Sequence, residues 1–490
     1  MDLLYKPKHG FVREDVPRTN PGFFYVLFGI FFGAYILIKL FQIDTVELMN
    51  MTWSLFVAAG VLILIFSFLN LEMAVLSLVF IVPLTTFQLP GLPFHVTFGD
   101  AYLLVVTIAW LMRLMVKSGE RIENTPIDKP LFLFVFLSAT SVINAADMSA
   151  AATELVQTIE FFMATMYLFH AVIRTTEDFE NAILAIGLSS ILFSLLGIQE
   201  YFVMGGGYTR VRATFGHFNA YGAYLSMMLP LTFNMSLTEK RRGRRLMYIT
   251  ALIVGVGAIL FTFSRGAWIG VLCGLLLAGW LRGMNQFIKY FSVGIILLIT
   301  VSVFIPKQLE RFTGRAASIT EINDKSTQSR LDQYKMSLEI MVKSPLLGTG
   351  VGQVPAYASK RGTPSLGEIH NLFLQIGAER GVPAMFAIIA VFFIYYRTIS
   401  RRIFQTKSSY FRDMYITNVS VMVSFLVVNL TAYQLLRGLG IFLGIFLGMA
   451  AALLRIEEHM SDSGLLEEDL EYEDHLSREP TLLPGMQEKV

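Results

Sequence analysis

Residues 240–263 read KRRGRRLMYITALIVGVGAILFTF. Five cationic side chains stand in front of an apolar run, 246–263, that contains no charged residue. A run of about 20 apolar residues is what a helix needs to cross a hydrocarbon core of roughly 30 Å. Within the hydrocarbon every backbone amide and carbonyl must be satisfied inside its own segment, which a helix achieves. Lys and Arg in short loops collect on the cytoplasmic side, so this one stretch supplies both a span and a direction.

The pattern extends both ways along the 490 residues, which are 54% hydrophobic and only 16% charged, with a mean hydropathy of +0.58. Fourteen apolar runs are expected to be spans: 23–43, 52–69, 72–89, 98–116, 130–144, 154–173, 179–203, 219–237, 246–263, 266–281, 287–305, 378–397, 413–433 and 437–455. Two of them, 130–144 and 266–281, are short, so the expectation is an all-α polytopic bundle of about 12–14 spans. A soluble enzyme, a nucleic-acid binder and a disulfide scaffold are excluded. The single cysteine, Cys273, lies inside an apolar run.

The basic residues define one orientation. With the N-terminus inside, the inner segments hold Lys6, Lys8, Arg13 and Arg18, then Lys117, Arg121 and Lys129, then Arg174. They continue with the 240–245 cluster, Arg282 with Lys289, the stretch from Arg397 to Arg412, and Arg455. Both termini are therefore expected in the cytoplasm. Residues 1–22 read as a cytosolic leader, 23–305 as the bundle of spans 1–11, and 306–377 as a long external loop with short helices. Residues 378–455 carry the last three spans, and 456–490 form an acidic tail expected to be disordered. That tail has eleven acidic residues against Arg478 and Lys489, a balance of −9, so the small net charge of +2 leaves +11 on the rest. Internal symmetry of the two-halves kind common in transporters is absent from the pattern.

The exceptions to the rule are Arg210, Arg212, Arg265 and Arg437, in or beside short outer loops, with Lys39 near the outer end of the first span. Each alone reads as a snorkelling side chain or an ion pair; an outer-facing anionic ligand explains the set with one cause. Arg265 lies in a tight link, Phe263-Ser-Arg-Gly-Ala-Trp268, and its guanidinium fork suits a phosphate. The glycine after it is expected to let the backbone turn closely. The long loop holds nine Lys or Arg residues before His370, a helical stretch from Gln328 to Lys343, and the glycine-rich Leu346-Leu-Gly-Thr-Gly-Val-Gly352. No strand–turn–helix unit surrounds those glycines, so they read as a tight connection and not as a nucleotide cradle.

His370 can accept a proton near neutral pH, or it can share helix capping with Asn371; the local sequence leaves both open. His217, flanked by aromatics at the entry to a span, reads as structural. Glu160 and Glu200 are carboxylates within apolar runs, either functional or paired with arginines. The outer acidic residues show no ligand spacing, so neither metal nor other cofactor is expected.

Ser264-Arg-Gly-Ala-Trp268, then Arg330 and Ser344-Pro-Leu-Leu-Gly-Thr-Gly350, then His370-Asn-Leu-Phe-Leu with Glu379-Arg-Gly-Val, resemble the O-antigen ligase/polymerase family over roughly residues 205–390. Gly216-His-Phe-Asn219 resembles the family's glycine-asparagine segment. The resemblance implies a membrane glycosyltransferase of the GT-C type in the bacterial inner membrane. Such an enzyme moves a glycan from undecaprenyl diphosphate to an acceptor sugar on the periplasmic or external face, without metal or nucleotide. It implies catalytic roles for Arg265, Arg330 and His370. Arg210, Arg212, Asn219 and Asn371 are then expected to bind substrate. The partners implied are the lipid-linked donor, a glycan or lipid-anchored acceptor, membrane lipid and envelope polysaccharide assembly proteins, with no nucleic acid. Family ligases typically have twelve spans, so an extra N-terminal hairpin and the acidic tail depart from the pattern. A flippase of lipid-linked oligosaccharide, or another anion transporter, is the alternative.

Overall fold

The computed structural model describes residues 53–84, 97–116, 121–205, 210–288, 325–435 and 439–464, with isolated positions at 22, 25, 28, 29, 291 and 292. Residues 1–21 of the expected leader, Lys39, Arg437, the loop stretch 306–324 and the tail beyond 464 lie outside these residues. So do almost all of the runs at 23–43 and 287–305.

Each of the other expected runs is helical over most of its described residues, and no strand occurs among the described residues. The helices are α1 Trp53–Leu69, α2 Leu71–Ile81, α3 Phe98–Val116, α4 Asp128–Ser141 and α5 Met148–Val172, followed by α6 Thr176–Val203, α7 Phe218–Thr238, α8 Arg242–Thr262 and α9 Arg265–Arg282. After the masked stretch come α10 Lys325–Lys343, α11 Val354–Lys360, α12 Leu372–Arg380, α13 Val382–Gln405, α14 Ser409–Asn429 and α15 Leu439–Asp462. Seven of them, α3, α5, α6, α8, α13, α14 and α15, are long and apolar enough to cross a membrane, and the chain is a multi-pass membrane protein.

Burial sorts these helices. The apolar windows of α15 and α6 are 94% and 83% buried, whereas those of α3, α8 and α13 are 39% buried and leave a face for lipid. Helices in a bilayer gain little from hydrophobic burial against one another, so close backbone approach through small residues matters more. On α15 the stripe Gly440, Gly444 and Gly448 lies on α5: an added Cβ would stand 2.1 Å from the Phe161 ring, 2.1 Å from Phe161 O and 2.4 Å from Met166 O. A π-helical turn at Glu160–Ala164 bulges α5 at this crossing, with Thr165 Oγ1 donating to Glu160 O at 2.8 Å. A second stripe, Gly266, Gly270 and Gly274 on α9, lies on α14 and the residues just after it.

The basic residues expected inside gather at one end of the bundle. Arg241 and Arg244 reach Glu180 at 2.7 and 3.2 Å, and Arg282 reaches Asp413 at 3.0 Å. Arg455 pairs with Glu123 at 2.8 Å and donates to the carbonyls of His170 and Ile173 that close α5. The opposite end holds the α8–α9 elbow, α10, α11 and α12, and is called the loop end below.

Candidate functional site

The elbow between α8 and α9 is built to hold Arg265 at the loop end. A helix leaves its last four carbonyls without partners inside the helix, and here each is satisfied. Ile259 O accepts from Trp268 Nε1 at 3.1 Å and Leu260 O from Phe263 N at 3.1 Å. Phe261 O accepts from Val211 N at 3.1 Å, and Thr262 O from Arg210 Nε at 2.9 Å. Arg210 also donates to Phe263 O at 3.0 Å, and its guanidinium covers the Phe218 ring.

The turn itself comes from Phe263, which adopts φ 50°, ψ 31°. A non-glycine residue there costs about 1–2 kcal/mol. Gly266 does not make the turn, contrary to the sequence expectation. It is helical, and its missing side chain admits Thr431, whose Oγ1 would stand 2.5 Å from a Cβ.

Asn219 is the second brace. Its Oδ1 accepts from Ser264 Oγ at 3.1 Å and from Arg210 at 3.5 Å, so three chain segments meet on one amide. With its hydroxyl committed to Asn219, Ser264 sits at the N-cap of α9 without a side-chain cap bond. Arg265 therefore occupies the first position of a helix whose terminus already carries positive dipole character, an arrangement that an anion would stabilise.

His217 has the structural role expected of it: Nδ1 caps α7 by accepting from Asn219 N at 3.1 Å. Arg212 is 58% exposed, and its Nε lies 3.9 Å from Glu200. Glu200 also accepts from the backbone amides of Arg212 and Ala213 at 2.9 and 2.6 Å, so this carboxylate fastens the 210–217 segment to α6.

The loop supplies the other two principal residues. Its own small core, Met336, Ile340, Val354, Ala358, Ile369 and Ala378, packs α10 and α11 onto α12. Positive φ at Gly348, Gly350 and Gly352 brings the turn against α12, where Thr349 N and Gly350 N donate to Ala378 O and Glu379 O at 2.9 and 3.0 Å. Those amides cap a helix instead of cradling a phosphate.

Asn371 is the N-cap of α12. Its Oδ1 accepts from Phe373 N and Leu374 N at 3.0 and 3.1 Å, while Nδ2 donates to Leu430 O at 3.2 Å. Capping thus belongs to Asn371, and His370 stands just before it with its backbone held on both sides. His370 N donates to Gln333 Oε1 at 3.2 Å, and Tyr334 Oη donates to His370 O at 3.4 Å. Arg330 precedes Gln333 and Tyr334 by three and four residues, which puts it on the same face of α10.

The segments that carry the three residues meet on the chain just after α14. Leu430 O receives both Asn371 and Tyr334, the latter at 3.4 Å, and the adjoining Thr431 abuts Gly266 beside Arg265. Sequence reasoning missed Gln333, Tyr334, Leu430 and Thr431. The first two could have been found from their three- and four-residue spacing to Arg330.

Residues 249–389 match the O-antigen ligase family model. An uncharacterized protein of Haemophilus influenzae (strain ATCC 51907 / DSM 11121 / KW20 / Rd) is 25% identical over 183 residues, covering 33% of this chain and 46% of that protein. The chain thus spans about half the length of this curated relative. The matched segment begins within α8, contains the elbow with Arg265, Arg330 and His370, and ends in α13. Residues 249–389 are an O-antigen ligase family domain.

Proposed function

We propose that this protein is a membrane glycosyltransferase that moves a glycan from undecaprenyl diphosphate to a sugar hydroxyl on the periplasmic or external face. The observation that carries this reading is the meeting, on Leu430–Thr431, of three segments of the matched domain: the Arg265 helix start, the Arg330 face of α10 and the His370 re-entry. Both termini are cytoplasmic in this reading, and the loop end faces outward.

Arg265 and Arg330 bind the diphosphate and stabilise the negative charge that grows on it as it leaves. The acceptor oxygen attacks the anomeric carbon while the bond from that carbon to the diphosphate oxygen breaks. The electron pair goes to the diphosphate, and the hydroxyl proton goes to His370. A single displacement inverts the anomeric centre. Arg210 adds positive field while its guanidinium holds the elbow, and Arg212 adds charge at the rim. Asn219 and Asn371 serve chiefly by fixing the two arms that present Arg265 and His370.

The energy resides in the diphosphate linkage, so the step draws on no nucleotide. Reconstituted protein supplied with lipid-linked donor and acceptor should form a new glycosidic bond, whereas His370→Ala and Arg265→Ala should express normally and lose transfer. Full activity of either variant would overturn this mechanism.

A further inference from the structure

Buried beneath the re-entry is a polar cluster for which the transfer mechanism has no use. It contains Glu154 at the loop end of α5, Gln375, Glu379 and Arg380 on α12, and Tyr433 after α14, all under a tenth exposed. Arg380 pairs with Glu154 at 3.3 Å, and Tyr433 Oη donates to the same Glu154 oxygen at 3.3 Å. The remaining carboxyl, Glu379, is 1% exposed. Its Oε1 accepts from Gln375 Nε2 at 2.8 Å and from Val354 N at 3.5 Å. Gln375 in turn accepts from Ile369 N at 2.9 Å through Oε1.

Two successive amides of the re-entry are therefore held by two glutamines on different helices. Ile369 N goes to Gln375 on α12, and His370 N goes to Gln333 on α10; both glutamines are 3% exposed. Gln375 and Glu379 are four residues apart on one helix face, so the carboxyl fixes the rotamer of the amide that reaches Ile369.

We propose that Glu379 is a positioning residue for His370, acting through Gln375 and the Ile369 amide. The inference rests on the reading of His370 as the base. A base must lie within hydrogen-bond reach of the acceptor hydroxyl, and a displacement of about 1 Å can cost on the order of 100-fold in rate. Glu379 touches none of the reacting atoms.

The surroundings of Glu379 favour its neutral acid form. Two buried carboxyls face one guanidinium, and Arg380 is already committed to Glu154. Oε2 of Glu379 is buried without a hydrogen-bond partner among the described residues, a place where an anion would be stranded at high cost. Burial, and then the neighbouring Glu154, push this carboxyl well above its ordinary range, with Arg380 and the backbone amides of Gly352 and Val354 opposing.

The test uses full-length protein in liposomes with a polyprenyl-diphosphate-linked glycan and an acceptor, reading kcat and donor KM separately. Glu379→Ala should lower kcat by on the order of 10- to 100-fold with KM changed by less than about threefold. Glu379→Gln is neutral and keeps an oxygen for Gln375, so it should retain kcat to within about threefold of the parent. In a His370→Ala background, Glu379→Ala should not lower the residual rate further.

Gln375→Leu supplies the same test from the other side of the contact if Glu379→Ala does not fold, and should reproduce the kcat loss. Parental kcat in Glu379→Ala or Gln375→Leu would overturn the inference. So would a Glu379→Gln variant as slow as Glu379→Ala, or an undiminished Glu379→Ala effect in the His370→Ala background. A fully active His370→Ala would instead overturn the reading on which the inference rests.

Discussion

The α9–α14 crossing sets where Arg265 stands, and its three glycines give a graded prediction. Alanine at 266 would place a Cβ 2.5 Å from Thr431 Oγ1, with the next atom of that side chain at 3.7 Å. A hydroxyl can rotate away, so the helices need hardly move. Alanine at 270 would stand 2.8 Å from a Val428 methyl and 2.9 Å from Ser424 O, and alanine at 274 would stand 2.1 Å from Ser424 Oγ and 2.6 Å from Ser420 O. Carbon–oxygen contacts settle at about 3.3–3.6 Å. Since a backbone carbonyl cannot rotate aside, the helices must separate by about 0.4 Å or more at 270 and about 0.7 Å or more at 274. Overpacking of this kind costs about 1–3 kcal/mol, and here it also loosens contacts along the whole stripe. Thermal unfolding of the purified protein in detergent should rank Gly274→Ala as least stable, then Gly270→Ala, with Gly266→Ala nearest the parent. Transfer should fall in the same order, because separation of α9 from α14 carries Arg265 away from Leu430–Thr431. A Gly274→Ala protein as stable as the parent, or Gly266→Ala as the worst of the three, would refute the argument.

Three further outcomes follow from the loop end. Arg380→Leu leaves Glu154 buried without its cation and should cost about 3–5 kcal/mol; denaturant unfolding should show this, and the double variant Arg380→Leu/Glu154→Leu should recover much of the loss. Asn371→Ala removes the cap of α12 and the tether to Leu430 O, for about 1 kcal/mol or more, and hydrogen exchange at the Phe373 and Leu374 amides should quicken. The Glu379 carboxyl holds its proton in the folded chain above the ordinary 4.5, whereas the unfolded chain releases it near there. The folded state thus binds more protons in that window, and its contribution to stability, complete below about 4.5, is lost as pH rises through the folded value. Melting temperature measured against pH should show this decline in the parent and a flatter profile in Glu379→Gln.

The sequence made the helical class legible because each run had to satisfy its backbone internally; periodicity added little. The stretch 240–263 held both span and direction, and the same grammar located the described helices to within a few residues, apart from the shorter α2, the early-starting α5 and the late-ending α13 and α15. What was not legible depends on contacts between distant segments. Gly266 read as a turn residue because the local string shows a glycine after Arg265, whereas its reason for being glycine is Thr431, more than 160 residues away. Asn371 and His370 were indistinguishable as caps until Phe373 N and Leu374 N were seen to point at Asn371.

Charge on the loop end divides by what it touches, a division that composition cannot make. Arg210, expected to meet substrate, spends its Nε on Thr262 O and a terminal nitrogen on Phe263 O, closing the end of α8. Arg380, two residues before the last spans begin, is 2% exposed and neutralises Glu154. Both are as cationic as Arg265, yet both work inside the frame. Arg265 differs in position: it opens α9 at an end that has no side-chain cap, on a turn strained at Phe263 and braced by Asn219. A stretch of chain held in a costly conformation persists where its surroundings over-determine it, and such strain concentrates at working sites. The elbow meets that description inside the family domain, and the proposed binding of the diphosphate at Arg265 gives the strain a use.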